Sequence, residues 1–278
     1  MKRVSSIILI FTICLSLCAC GKSQAAKDCE ELIAAIGEVS VDSKDAIEAA
    51  ERAYSALTEK EKDSIADSAA IMNDAIEAYY NEACKLIFST LNDAHEIVSQ
   101  FGDDLYAMGT ATQNGFNFGD EKFYFLKYML SKISIHLTED EMKQGIEAAV
   151  EGHNQLDGYD ADICIFVTHT RTKYGSTNYL GELCVLGVSN AYKIKGVVTE
   201  VRDTLYNASV MMAGIKNVDS CAQCYLMLEK YYEAIEEYID ICADYDDITQ
   251  ISNFGIMRDT YLGYSETYIS DLEALLAN

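Results

Sequence analysis

The chain has 278 residues, 45 acidic against 21 basic, a formal charge of -24, no Pro, no Trp and 19 Tyr. So acidic a surface repels phosphate backbones and anionic lipid, which argues against nucleic acid as a partner. A chain without Pro and rich in Ala, Glu, Leu, Ile and Lys favours long uninterrupted helices, and the expectation is an all-α protein: a small three-helix module joined by a long helix to a larger antiparallel bundle.

In chain order, Lys2 and Arg3 precede the apolar run Ile7 to Leu17, and small residues follow, the order of an export signal. The run to Ala19 is well short of the ~20 residues a membrane-spanning helix needs. A plain secretory signal also ends in small residues. Leu17-Cys18-Ala19-Cys20, however, resembles the lipobox of bacterial lipoproteins, with Leu three places before a Cys and a small residue directly before it. The resemblance implies that residues 1–19 are removed as a signal peptide. It also implies that Cys20 carries a diacylglyceryl thioether and that the protein is held by lipid to the outer face of the cell membrane. Residues 20–26 are then the lipidated Cys and a short tether, whose six residues Gly21 to Ala26 span at most ~20 Å, so the folded part stays close to the membrane.

Residues 27–83 read as a small helical module. Leu32, Ile36 and Val39 recur at helical spacing, with Gly37 as a left-handed exit. Asp42 or Ser43 caps a second helix whose apolar face is Ile47, Ala50, Tyr54 and Leu57. Thr58 with Glu61 forms a capping box that opens a third helix, and Asp67 or Ser68 restarts the chain. The pattern Ile33-Ile36-Gly37-Val39, Asp42-Ser43, Ile47, Ala50, Tyr54, Leu57-Thr58 and Lys62 is similar to a short helical repeat found in uncharacterised surface lipoproteins of Gram-positive gut anaerobes. That resemblance implies a cell-surface helical module and no activity.

Residues 84–278 read as the larger bundle. From Ile71 an apolar seam continues through Ile76, Tyr80, Ala83, Ile87, Leu91, Ala94, Val98, Phe101, Leu105 and Met108, which predicts one long helix with a bend at Gly102. Asp120 opens an aromatic-rich helix through Phe123, Tyr124, Leu126, Tyr128 and Leu130. Thr138 with Glu141 is a second capping box, for a helix to about Gln155. Residues 157–177 read as irregular, although Ile163 to Thr168 has strand-like composition, as does Gly196 to Thr199; residues 178–214 read as helical. Cys221, Tyr225, Leu228, Tyr232, Ile235, Ile239 and Cys242 are the expected seam of the next helix. Phe254, Met257, Tyr261, Tyr264, Tyr268, Leu272 and Leu275 are that of the last.

The chemical candidates are few. Cys221-Ala222-Gln223-Cys224 has the spacing of redox and metal motifs and follows Asp219-Ser220, a helix N-cap where a thiol's pKa falls. Cys221 also lies on the core seam, and the strand that a thioredoxin-like site requires is missing, so the competing reading is a pair of structural thiols. Cys29, Cys84, Cys164, Cys184 and Cys242 make the count odd once Cys14, Cys18 and Cys20 are set aside, which excludes a fully paired disulfide framework. Free thiols in an exported protein suit an anaerobic habitat.

His95-Glu96 lacks a second His at Ser99, so no zinc-protease helix is present. His136, His153 and His169 share no spacing. Gly187-Val188-Ser189-Asn190-Ala191 lacks a Gly of the nucleophile elbow, and Asp157 to Asp162 lacks the order of a calcium loop. Glu233, Glu236, Glu237 and Asp240 read as a solvated face. Tyr231, Tyr238 and Tyr245, spaced by seven with Cys224, flank the core or, if exposed, offer a stripe for stacking on a ligand. The reading is therefore a lipid-anchored surface protein that binds or scaffolds a surface protein, with capture of a glycan or peptide in a Tyr-lined groove as the alternative. It assigns no catalytic residue, no cofactor and no metal.

Overall fold

The computed structural model describes residues 22–113, 123–124, 129–152, 166–167, 177–244 and 251–277, and the fold is all-α. The lipobox with Cys20, together with Cys164, His153, His169, Tyr245 and the Asp157 to Asp162 stretch, lies outside those residues. The chain divides into two compact units, with the boundary between Ala83 and Cys84.

The first unit holds α1 (Gln24–Ala35), a 3-10 turn (Val41–Ser43), α2 (Lys44–Ser55), α3 (Glu59–Ser64) and the start of α4 (Ala66–Gln113). Local chemistry sets these boundaries. Ser23 caps α1 by accepting from the Ala26 amide, and Gly37 leaves the helix at φ +66°, in the left-handed region where Gly has no Cβ penalty. Ser43 stands at the N-cap of α2 as expected but makes no side-chain capping bond to it; instead Ser40 accepts from the Asp42 amide, while the Ser43 hydroxyl accepts from Ser40 N–H, a reciprocal box around the 3-10 turn. Thr58 and Glu61 form the expected capping box before α3. Hydrogen bonds from Ser23 and Thr58 hold the Glu61 carboxyl down to about 2. Ala26, Cys29, Ile33, Ile47, Ala50, Leu57 and Ile65 pack with Met72 and Ala75 of α4 into one apolar core.

The second unit is built from the rest of α4 with α5 (Glu139–Gly152), α6 (Thr177–Lys195), α7 (Val197–Ile215), a 3-10 turn (Asp219–Cys221), α8 (Ala222–Asp244) and α9 (Ile251–Leu276). Helix α5 packs on α6, α6 and α7 both pack on α8, and α8 packs on α9. Thr138 and Glu141 make the second capping box as expected, and Gly196, at φ +91°, turns α6 into α7. One expectation changes. Phe123–Tyr124 pairs antiparallel with Phe166–Val167 as a two-residue ladder instead of entering a helix, in line with the strand propensity of aromatic and β-branched residues. Helix α4 is the one long helix expected, continuous through Gly102, and that glycine serves a close approach. A Cβ there would stand 2.7 Å from Cζ of Tyr238.

The seam of α4 is buried throughout from Ile87 to Met108, but Ile71, expected on it, is 61% exposed, and Met72 points inward in its place. Of the seam expected for α8, Cys221, Leu228, Ile235, Ile239 and Cys242 are buried, and the neighbouring stripe joins them in the core. Tyr231 and Tyr238 are fully buried with Cys224, whereas Tyr225 and Tyr232 lie at the edge of the core. Their hydroxyls donate to Glu229 and Glu236 one turn along the same helix. In α9 the core positions are Phe254, Tyr261, Ser265, Leu272 and Leu276, and Tyr264 faces solvent.

Candidate functional site

Three thiols converge at the start of the second unit. Cys84 comes from α4, Cys221 from the 3-10 turn and Cys224 from the first turn of α8, and all three are buried. Cys84 lies within hydrogen-bonding reach of both other sulfurs. Burial, with the neighbouring Cys84, pushes the Cys221 thiol up to about 11, so its position near a helix N-terminus does not make it a reactive thiolate. Cys224 shifts the other way, because Cys84 donates a hydrogen bond that stabilises its thiolate; Cys84 correspondingly keeps its proton. The sequence motif thus supplies two members of the cluster, and the third arrives from a helix 137 positions earlier that carries no motif. Among the described residues no group of three or more His, Cys, Asp and Glu side chains is arranged to hold a metal ion.

The tyrosine stripe forms no ligand surface at its described positions. Tyr238 stacks on Tyr261 with ring centroids 4.1 Å apart and planes at 16°. Tyr231 packs against His95 and Phe88, and its hydroxyl donates to Asn92 Oδ1 at 2.9 Å. Sequence spacing by seven cannot distinguish this face from its neighbour, since α8 is apolar on both and only tertiary packing selects the inward one. Stacking of Tyr231 and Tyr238 on a glycan or peptide is therefore replaced by stacking within the core.

His95 belongs to the same layer. Its Nδ1 lies 2.6 Å from the Tyr261 hydroxyl, and Ser99 Oγ is 3.4 Å from each ring nitrogen. Burial lowers its pKa from the ordinary 6.5. Because the unfolded chain then binds a proton more readily than the folded one, stability is retained above that value and declines as pH falls through it. Urea midpoints measured across this range should drop on acidification, and His95→Gln should flatten the decline.

The remaining polar groups inside the second unit are tied to the fold. Ser189, the residue inside the incomplete elbow pattern, donates to the carbonyls of Cys242 and Ala243 at 3.2 and 3.3 Å. Carbonyls in the last turn of a helix lack intrahelical donors, so this serine fastens α6 to the end of α8. Asp104 is 2% exposed and accepts from Ser134 N–H, Ser134 Oγ and Ile135 N–H at 2.8, 2.9 and 3.2 Å, and from the Tyr192 hydroxyl. His136 is exposed and offers its carbonyl to Lys195. Glu233, Glu236, Glu237 and Asp240 do face solvent, and Asp240 pairs with Arg202 at 2.8 Å.

On the outside, α7 presents Tyr206 and Val210 one turn apart, 67% and 56% exposed, followed by exposed Ala213 and Gly214. Nothing in the sequence marks this pair, because an exposed apolar residue at i and i+4 looks the same as a core position until the neighbouring helices are in place. No helix among the described residues is long and apolar enough to cross a membrane. No protein-family model, curated protein or solved structure matches the chain.

Proposed function

We propose that the chain is a lipid-anchored helical module of the cell surface that binds or scaffolds another surface protein through the outward face of α7. The observation that carries this reading is the apolar strip of Tyr206 and Val210, set on a helix that also exposes Glu200 and Asp203. An aromatic with an apolar face and a polar tip is the kind of side chain that protein interfaces favour. The chain's overall negative charge favours a partner surface that combines apolar and basic groups. The lipobox resemblance at Leu17 to Cys20 supplies the membrane anchor in this reading.

Crosslinking on intact cells tests both halves. The wild type should capture one reproducible surface partner, and Tyr206→Ala with Val210→Ser should lose at least tenfold of that capture with helicity unchanged. Equal capture by the double variant would refute the assignment of the face. Cys20→Ala should move the protein from the membrane fraction to the medium, and continued lipid incorporation would refute the anchor.

A further inference from the structure

The thiol cluster is used neither by the α7 surface nor by the anchor. Of the six described cysteines, Cys29, Cys184 and Cys242 are buried elsewhere in the two units, while Cys84, Cys221 and Cys224 are neighbours. From the meeting of these thiols we infer that Cys84 and Cys224 form a reversible disulfide joining α4 to α8, with a low-molecular-weight disulfide as oxidant. The inference is independent of where the protein resides and of what it binds.

The order of events follows from exposure. Cys224 is 9% exposed, against 2% for Cys84 and 3% for Cys221, so the incoming disulfide meets Cys224 first. The Cys84 S–H that stabilises the Cys224 thiolate also favours it as the attacking group. In the first step Cys224 sulfur bonds to one sulfur of the reagent, the reagent's S–S bond breaks, and its other half leaves and takes up a proton. In the second, Cys84 gives up its proton and attacks the Cys224 sulfur, releasing the second half as a thiol. Two protein thiols are oxidised to one disulfide, and one small disulfide is reduced to two thiols. Cys221, held protonated by burial, keeps its thiol. The bond closes a loop of more than a hundred residues, so it restricts the unfolded chain strongly.

The test uses the full chain purified without oxygen and equilibrated with oxidised glutathione. Peptide mapping should find a Cys84–Cys224 crosslink, two fewer alkylatable thiols, and reversal by excess reduced glutathione. Cys84→Ser and Cys84→Ala should each stop the wild-type reaction at a mixed disulfide on Cys224, and Cys184→Ser should leave it intact. The oxidised wild type should also unfold at higher urea than the reduced form. Retention of every thiol, a Cys221–Cys224 bond, a bond to Cys29, Cys184 or Cys242, or a mixed disulfide that never closes in the wild type would each overturn the inference.

Discussion

Gly145→Ala should lower the stability of the second unit by about 3 kcal/mol, the upper part of the range for forcing one methyl into a filled site. Gly145 lies in α5 where that helix runs against α6. A Cβ there would stand 2.7 Å from the Ala191 amide nitrogen and 2.8 Å from the Ala191 Cβ, and it would collide with the Gly187 carbonyl. These are backbone and near-backbone atoms, so no rotamer change relieves the contact and the two helices must separate. Gly187 lies on the opposite face, with Ile146 Cγ1 at 3.1 Å and Met129 Cε at 3.5 Å from the position of its own Cβ; the crossing is already filled. Gly214 and Gly263 provide the control, because they lie within α7 and α9 with nothing inside 4 Å of an added Cβ. Substituting Ala there should stabilise by up to ~1 kcal/mol through helix propensity alone. Urea unfolding followed by tyrosine fluorescence, with hydrogen exchange on peptides from α5 and α6, would resolve the three variants. Equal midpoints for Gly145→Ala and wild type would show that the helices are not in contact there.

The same glycine marks the limit of what the residue string reveals. Short-range chemistry was legible: the Thr58–Glu61 and Thr138–Glu141 boxes and the left-handed Gly37 involve partners within a few positions, and each forms as the pattern requires. Apolar period was legible as helix but not as direction. Helix α8 carries tyrosine or aliphatic groups at 225, 228, 231, 232, 235, 238 and 239, so two adjacent stripes both satisfy helical spacing. The inward placement of Tyr238 rests on Gly102 in α4, which leaves room for its ring, and on Tyr261 in α9, which stacks on it. Those residues are separated from α8 by many helical turns of sequence, and nothing local links them. Cys84 was hidden for the same reason: Cys221 and Cys224 announce themselves by spacing, whereas Cys84 differs from any buried seam residue only through its neighbours in space. Phe123 and Tyr124 failed in the other direction, since their strand needs a partner more than forty positions away.

Asp104→Ala should be the most destabilising polar substitution, at roughly 3–5 kcal/mol, the range for removing one member of a buried charged network. The carboxylate takes four hydrogen bonds on two oxygens. Oδ1 accepts both Ser134 groups, and Oδ2 accepts the Ile135 amide and the Tyr192 hydroxyl. It thereby fastens α4 to the segment ahead of α5 and to α6. Tyr192 is itself fully buried, with its ring edge-on to Phe101 at 4.8 Å. Burial, with the charge and hydrogen bond of Asp104, raises the Tyr192 pKa, so its hydroxyl remains a donor. Alanine at 104 removes the acceptor from two backbone amides and the Ser134 hydroxyl, which lie nearer the surface, and from the buried Tyr192 hydroxyl, and a buried group so orphaned costs about 1–3 kcal/mol. Asparagine retains one acceptor oxygen but sets its amide against N–H or O–H donors, so Asp104→Asn should fall between Asp104→Ala and wild type. Tyr192→Phe removes a single donor and should cost about 1–2 kcal/mol. The double variant Asp104→Asn with Tyr192→Phe should lose less than the sum of the two, because the same bond is removed in both. Thermal or urea midpoints for the four proteins complete the cycle. Strict additivity, or an Asp104→Ala variant as stable as wild type, would place the carboxylate in water and undo the assignment of Asp104 as the internal clamp of the bundle.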